Sequence, residues 1–113
     1  MASTDTVENV QRAVLPTAVL SALQVSPNHG YALVAQLRSA GFTGVQGGTL
    51  YPLLRELEHH GLLTSRWDVD GSGPARKVVE LTERGAQRLR DDHEAIRTVL
   101  AQLDALADRG ERA

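Results

Sequence analysis

The spacing of apolar residues between positions 48 and 63 predicts a short amphipathic helix followed by a strand. At about 100° per residue, one side of the helix carries a stripe of leucines, Leu50, Leu53, Leu54 and Leu57. The opposite side carries residues that can hydrogen-bond or stack, Gly48, Tyr51, Pro52, Arg55 and His59. Gly61 is expected to end the helix in the left-handed conformation. The segment therefore offers one face to a core and another to a partner.

A two-stranded hairpin is predicted after this helix. Its legs are LLTSRWDV and RKVVELT, joined by the turn residues DGSGPA. Arg66 lies on the first leg, and Arg76 and Lys77 begin the second. Because a lone hairpin is marginally stable in water, it must pack against the helices, and Trp67 is expected to cover that junction.

The first part of the chain predicts an arm and two helices. An apolar helical period begins at Val7 and is interrupted by Pro16. Because proline suits the first turn of a helix and breaks its interior, we expect an arm to end here and a core helix to begin with Pro16. A single kinked helix is the alternative. Asn28 is expected to cap the next helix. The apolar face of that helix carries Tyr31, Leu33, Val34 and Leu37.

A long last helix is predicted from Thr82 onward, with Thr82 as its cap. Positions three and four residues apart form an a/d seam, Leu89, His93, Ile96, Leu100 and Leu103. A monomer would leave most of this seam uncovered, so the pattern favours pairing with a second copy of the helix or with the first helix of a partner. Packing of the seam within its own chain stays open as the alternative.

Helices followed by a basic hairpin are the order of elements in a winged helix-turn-helix. In such folds the third helix enters the major groove of DNA, and the hairpin contacts the flanking backbone. Arg55 would then be placed to read bases. Arg76 and Lys77 are expected to lie beyond the groove that the helix occupies, and so to contact phosphates.

Three motifs resemble the PadR-type transcriptional regulators: PNHGYALVAQL, GGTLYPLLRELEHHGLL, and SRW followed by a turn and GPARKVVELTERG. The resemblance runs from Leu20 to Gly85 and is to short forms with a single C-terminal helix. It implies a mainly α fold with a small β-hairpin: an arm and a winged helix-turn-helix over residues 1–82, then a long C-terminal dimerisation helix and tail over residues 83–113. Val78 and Val79 stand where the family pattern usually has aromatic residues, so no role of those rings is carried over.

Sequence and resemblance together predict a homodimeric repressor that binds a pseudo-palindromic operator in double-stranded DNA. The residues expected to touch DNA are Gly48, Thr49, Tyr51, Pro52, Arg55, His59, Arg66, Arg76 and Lys77. The alternative is a dimeric winged-helix module that binds a protein and not DNA. A formal net charge of −2 favours this alternative, because DNA-binding modules are commonly basic. The cations on the third helix and the hairpin favour DNA.

The composition of the chain narrows the classes of protein to which it can belong. The chain has no cysteine, and hence no disulfide and no thiolate metal site. It carries neither a bilayer-length apolar run nor a signal sequence, so a cytoplasmic protein without a membrane partner is expected. No catalytic motif is present, and neither an enzyme nor a cofactor is expected.

Metal and effector sites have weak support in the sequence. His93 stands beside acidic residues on the last helix, but no second histidine lies at the spacing that a metal site needs. No metal site is therefore predicted. The resemblance leaves an unidentified small-molecule effector open as a partner, although the last helix has no aromatic residue to clasp one.

Overall fold

The computed structural model describes residues 2–69 and 73–112, so part of the expected DGSGPA turn lies outside the described residues. Within these ranges the chain forms five helices and three short strands. In chain order they are α1 Thr4–Ala13, α2 Leu15–Val25, β1 Asn28–His29, α3 Gly30–Ser39, α4 Gly47–His59, β2 Leu63–Asp68, β3 Arg76–Leu81 and α5 Glu83–Arg112. The expected architecture, helices followed by a basic hairpin and a long last helix, is confirmed.

The N-terminal arm is itself a helix, separated from the core by a single residue. The Ser3 side chain caps α1 by accepting a hydrogen bond from the Thr6 backbone N–H at 3.2 Å. Val14 then interrupts the helical run, and α2 begins at Leu15 with Pro16 in its first turn. The prediction of an arm followed by a new helix is confirmed, but the helix begins at Leu15 and not at Pro16. Pro16 fits its first turn because proline has no N–H to lose there.

The hairpin belongs to a three-stranded antiparallel sheet in the order β1-β3-β2. β2 and β3 pair from Leu63 with Leu81 to Asp68 with Arg76. The third strand was not predicted, because a strand of two polar residues has no alternating pattern. Its pairing also overturns the cap expected at Asn28, which lies opposite Val79 in the sheet. The Asn28 side chain accepts from the His29 N–H and donates to the Gln36 side chain.

The core lies between α2, α3, α4 and the inner face of the sheet. The predicted leucine stripe of α4 is confirmed: Leu50, Leu54 and Leu57 are buried, and Leu53 is partly buried against them. Gly61 adopts a φ of 77°, so the expected left-handed end of α4 is confirmed as well. Within residues 2–69 and 73–110 no charged side chain is buried. Packing of apolar side chains therefore sets the orientation of α4.

The first three turns of α5 pack on the domain that precedes them. Thr82 caps α5, because its hydroxyl oxygen accepts from the Gly85 N–H at 3.0 Å. Gly85 lies against the Leu62 carbonyl oxygen so closely that a Cβ would overlap it. Further along, the Thr17 hydroxyl donates to the Asp92 carboxylate at 2.9 Å. These contacts anchor α5 to α2 and to the start of β2.

Leu89 corrects the predicted dimer seam. It is 3% exposed and belongs to the core of its own chain, because it lies on the anchored turns of α5. The alternative of packing within the chain therefore holds for this end of the seam. The other four predicted seam residues, His93, Ile96, Leu100 and Leu103, lie in a stretch in which every residue from 93 to 110 is exposed.

We expect Gly85→Ala to destabilise the protein by ~1–3 kcal/mol or more, because the added methyl group overlaps backbone and forces α5 away from Leu62. Gly110→Ala is the matched control, since nothing lies within 4 Å of its Cβ position and alanine is the better helix former. Denaturant unfolding at one protein concentration measures both variants. Equal stability of Gly85→Ala and the wild type would contradict the close packing.

Candidate nucleic-acid interface

The outward face of α4 carries the residues that the sequence assigned to it. Every one of them is exposed, and the set is Gly48, Tyr51, Pro52, Arg55 and His59. Thr49, also expected to touch DNA, is exposed beside them. Pro52 lies inside the helix, where it cannot donate to the Gly48 carbonyl. Since both residues are exposed, water or a polar partner can satisfy that carbonyl oxygen. The helix thus presents a polar face opposite its buried leucines.

Tyr31 is a surface residue, so its predicted place on the apolar face of α3 is wrong. It is 83% exposed, whereas Leu33 and Leu37 of the same predicted face are buried. The helical phase contains the missed signal: two residues correspond to about 200° of rotation, so Tyr31 and Leu33 face opposite sides. Its exposure brings an aromatic ring to the surface beside α4.

A hollow of about 470 Å³ joins α3, α4 and β3, and we call it the tyrosine hollow. Its lining residues are His29, Gly30, Tyr31, Ala32, Tyr51, Arg76 and Lys77. Two tyrosines and two cations therefore share one concave surface at the first turn of α3. Such a surface combines hydrogen-bond donors with positive charge, which suits an anionic oxygen.

Lys77 lies closer to α4 than expected. Its Nζ is 3.6 Å from Oε2 of Glu58 on α4, and the Ser65 hydroxyl of β2 donates to Oε1 of the same carboxylate at 2.5 Å. Lys77 and Arg55 also border a common smaller hollow. Because Lys77 and Glu58 are both partly exposed, the pair contributes at most ~1 kcal/mol to stability. The ion pair orients β3 beside α4, so Lys77 lies next to α4.

The strands β2 and β3 form the wing. Residues paired across an antiparallel sheet share a face, and side chains alternate along each strand. Arg66 lies opposite Val78, and Arg76 opposite Asp68, so both arginines belong to one face. Both are exposed. Lys77 lies on the other face, so the wing offers cations on each side.

Trp67 does not cover the junction between the wing and the helices, as had been expected. It lies opposite Lys77 and is 66% exposed. Leu63, Ser65 and Trp67 alternate along one face of β2, and their burial decreases in that order. The core does not extend along this face as far as Trp67. The Trp67 ring therefore lies beyond the contact between the wing and the helices.

A second exposed surface is apolar and lies on α5 beyond its anchored turns. It comprises Ile96, Val99, Leu100, Leu103 and Leu106, which are 40–62% exposed. We call these residues the apolar stripe. Monomeric proteins rarely expose contiguous apolar patches of this kind. On α1, Val7 and Val10 are also exposed, at 42% and 61%.

Across the described ranges, no group of three or more histidine, aspartate or glutamate side chains is arranged to hold a metal ion. Nor does any helix within residues 2–69 and 73–112 have the length and apolar character to cross a membrane.

Three core helices, a small sheet and an exposed wing define the winged-helix class of protein. Residues 19–91 match the model of the transcriptional regulator PadR-like family, and the chain belongs to this family. The family recognised in the sequence motifs is thereby confirmed, and its members are transcriptional regulators.

Relatives and solved structures agree with this assignment. The transcriptional regulator Rv3488 of Mycobacterium tuberculosis is 34% identical over 93 residues, covering 82% of this chain and 85% of the relative. A PadR family transcriptional regulator from Eggerthella lenta has a similar structure, with a TM-score of 0.82 and 36% identity over 91% of this chain and 89% of that one. PadR of Bacillus subtilis in complex with operator DNA has a TM-score of 0.62 and 29% identity, over 69% of this chain and 45% of that one.

Neighbouring residues of α4 test its orientation. Leu54→Ala should lower the free energy of unfolding by ~2–5 kcal/mol, because a buried leucine leaves a cavity. Arg55→Ala, one residue further, should change it by at most ~0.5 kcal/mol, because this side chain is exposed. Thermal and denaturant unfolding give both values. The reverse order of the two effects would mean that α4 is rotated from the described orientation.

Proposed function

We propose that the protein is a homodimeric transcriptional repressor that binds a pseudo-palindromic operator in double-stranded DNA. One observation carries the proposal: the polar face of α4 is exposed, and cations of β3 lie beside it at the tyrosine hollow. The similarity to the operator-bound Bacillus subtilis PadR supports DNA as the partner. The chain spans less than half the length of that protein.

In this proposal α4 enters the major groove and the wing follows the DNA backbone. Arg55 reads bases, because an arginine in the major groove can bind guanine with two hydrogen bonds, worth ~1–3 kcal/mol of discrimination. Arg66 and Arg76 bind phosphates from the wing, and Lys77 binds a phosphate next to α4. The remaining contacts come from the exposed face of α4, from Gly48, Thr49, Tyr51, Pro52 and His59.

A net charge of −2 does not oppose DNA binding when the cations are placed together. Arg55, Arg76 and Lys77 all border hollows that adjoin α4. The first turns of α3 and α4 add the positive ends of their helix dipoles. A dimer presents this set twice, so we expect binding that falls steeply with salt concentration.

The apolar stripe is the proposed dimer interface. Pairing α5 with a second α5, or with α1 of the partner, would remove Leu100, Leu103 and Leu106 from water. Residues 1–82 would then form the DNA-binding part and residues 83–113 the dimerisation helix and tail. Two copies of α4 would reach successive major grooves about 34–36 Å apart. A protein of this kind acts on DNA in the cytoplasm, and an effector bound between the subunits would regulate it.

A dimeric module that binds a protein in place of DNA is the second candidate, and the acidic pI of about 6.0 favours it. A gel shift with the DNA upstream of the protein's own gene, against a random duplex, separates the two candidates. Retarded operator DNA at protein concentrations that leave the random duplex free supports the repressor. Equal failure to bind both duplexes supports the second candidate.

Arg55 and Arg76 should affect DNA binding in different ways. Arg76→Ala should weaken binding to operator and random DNA alike, and reduce the slope of log K against log salt by about two per dimer. Arg55→Ala should reduce the ratio of operator to random affinity by more than Arg76→Ala does, because it removes a base contact. Titrations of both duplexes at several salt concentrations measure these effects. An unchanged salt slope in Arg76→Ala would mean that Arg76 makes no phosphate contact.

Dimerisation through the apolar stripe is tested by Leu100→Asp. An unpaired charge in an apolar interface costs several kcal/mol, so this variant should be monomeric or unfolded. Thr98→Asp adds the same charge about 200° around α5 from Leu100, with no residue of the apolar stripe three or four positions away, and should leave the dimer intact. Light scattering should give twice 12.2 kDa for the wild type and for Thr98→Asp. A stable Leu100→Asp dimer would place the interface elsewhere.

A further inference from the structure

Two glycines flank the ring of Tyr51. A Cβ at Gly30, the first residue of α3, would lie 2.7 Å from Cε1 of the ring. A Cβ at Gly47, the first residue of α4, would lie 3.2 Å from Cε2 on the other edge of the ring. The ring therefore lies between the first turns of two helices, where a Cβ at Gly30 would force it to move and a Cβ at Gly47 would crowd it.

Backbone conformation does not require glycine at either position. Across the described residues, only Gly41 and Gly61 adopt a positive φ. The backbone at Gly30 and Gly47 is therefore open to any L-residue, and glycine is a poor helix former. Gly48 shows the contrast, because nothing lies within 4 Å of its Cβ position although it also lies in α4. The absence of a side chain at Gly30 and at Gly47 thus makes room for the Tyr51 ring.

The ring is flanked at both edges by a glycine and yet remains available to a partner. Tyr51 is 43% exposed and lines the tyrosine hollow with Arg76 and Lys77. A side chain that is already held in its bound conformation loses little rotamer freedom on binding. A tyrosine hydroxyl can also donate a hydrogen bond to a phosphate oxygen, which the positive charges of Arg76 and Lys77 on the same hollow would attract.

We infer that Gly30 and Gly47 are positioning residues for DNA binding: they hold Tyr51 in the one ring orientation that meets the DNA backbone at the tyrosine hollow. The inference rests on the proposed function and deepens it. It assigns to α3 a part in the contact made by α4, because Gly30 belongs to α3. It also explains why both helices begin with glycine.

A double-mutant cycle with Tyr51 tests the inference. The variants are Gly30→Ala, Gly47→Ala and Tyr51→Ala, with both glycine changes repeated in the Tyr51→Ala background. Gly110→Ala is the control for a helical glycine with open space around it. The probe is a duplex that the wild type selects from a pool with a randomised centre. Affinity for this duplex and the melting temperature are measured for every variant.

Gly30→Ala should weaken binding about tenfold, and by as much as Tyr51→Ala, because it displaces the ring that makes the contact. Gly47→Ala should weaken binding less, since its closest ring contact is longer. In the Tyr51→Ala background neither glycine change should weaken binding further. Gly110→Ala should bind as the wild type does. If Gly30→Ala fails to fold, the double variant Gly30→Ala/Tyr51→Ala is compared with it. Recovery of folding in the double variant supports a clash with the Tyr51 ring as the cause of the failure. The affinity test then uses Gly47→Ala.

Three results would overturn the inference. One is wild-type affinity of Gly30→Ala and Gly47→Ala while Tyr51→Ala binds weakly, in which case the proposed function survives. Another is an equal loss from Gly30→Ala with and without the Tyr51 ring, which would mean that the new methyl group itself meets DNA or disturbs the fold. The third is a wild type that selects no duplex, which would remove the proposed function together with the inference.

Discussion

Burial of the α4 leucines is the constraint on which the rest of the structure depends. Leu50, Leu54 and Leu57 are buried among α2, α3 and the sheet, so the rotation of α4 about its own axis has one solution. That rotation places Tyr51 and Arg55 on the surface. Every proposed contact of α4 with DNA follows from this orientation, because the same helix cannot turn without exposing its leucines to water.

The two glycines and the carboxylate of Glu58 add detail to this arrangement. Glu58 binds both Ser65 of β2 and Lys77 of β3, so the wing lies beside α4 at a defined position. Gly30 and Gly47 admit the Tyr51 ring between α3 and α4. Small polar and steric contacts therefore arrange the surface, whereas apolar packing sets the fold.

Periodicity in the sequence predicted the helices, the leucine stripe and the hairpin, because each involves several residues at regular spacing. Features carried by one or two residues were missed: the short strand at Asn28, the exposure of Tyr31, and the contact of Lys77 with α4. Leu89 was assigned to the dimer seam since it follows the same period as Leu100. A period describes a face of a helix, but it does not reveal which partner covers each turn of that face.

Protection of guanine N7 from methylation tests the central claim, that two copies of α4 read successive major grooves, most directly. N7 lies in the major groove, so the selected duplex should show two protected clusters about 10–10.5 base pairs apart. Arg55→Ala should remove protection within both clusters and leave the backbone footprint in place. One cluster, or a backbone footprint with every N7 accessible in the wild-type complex, would contradict the account.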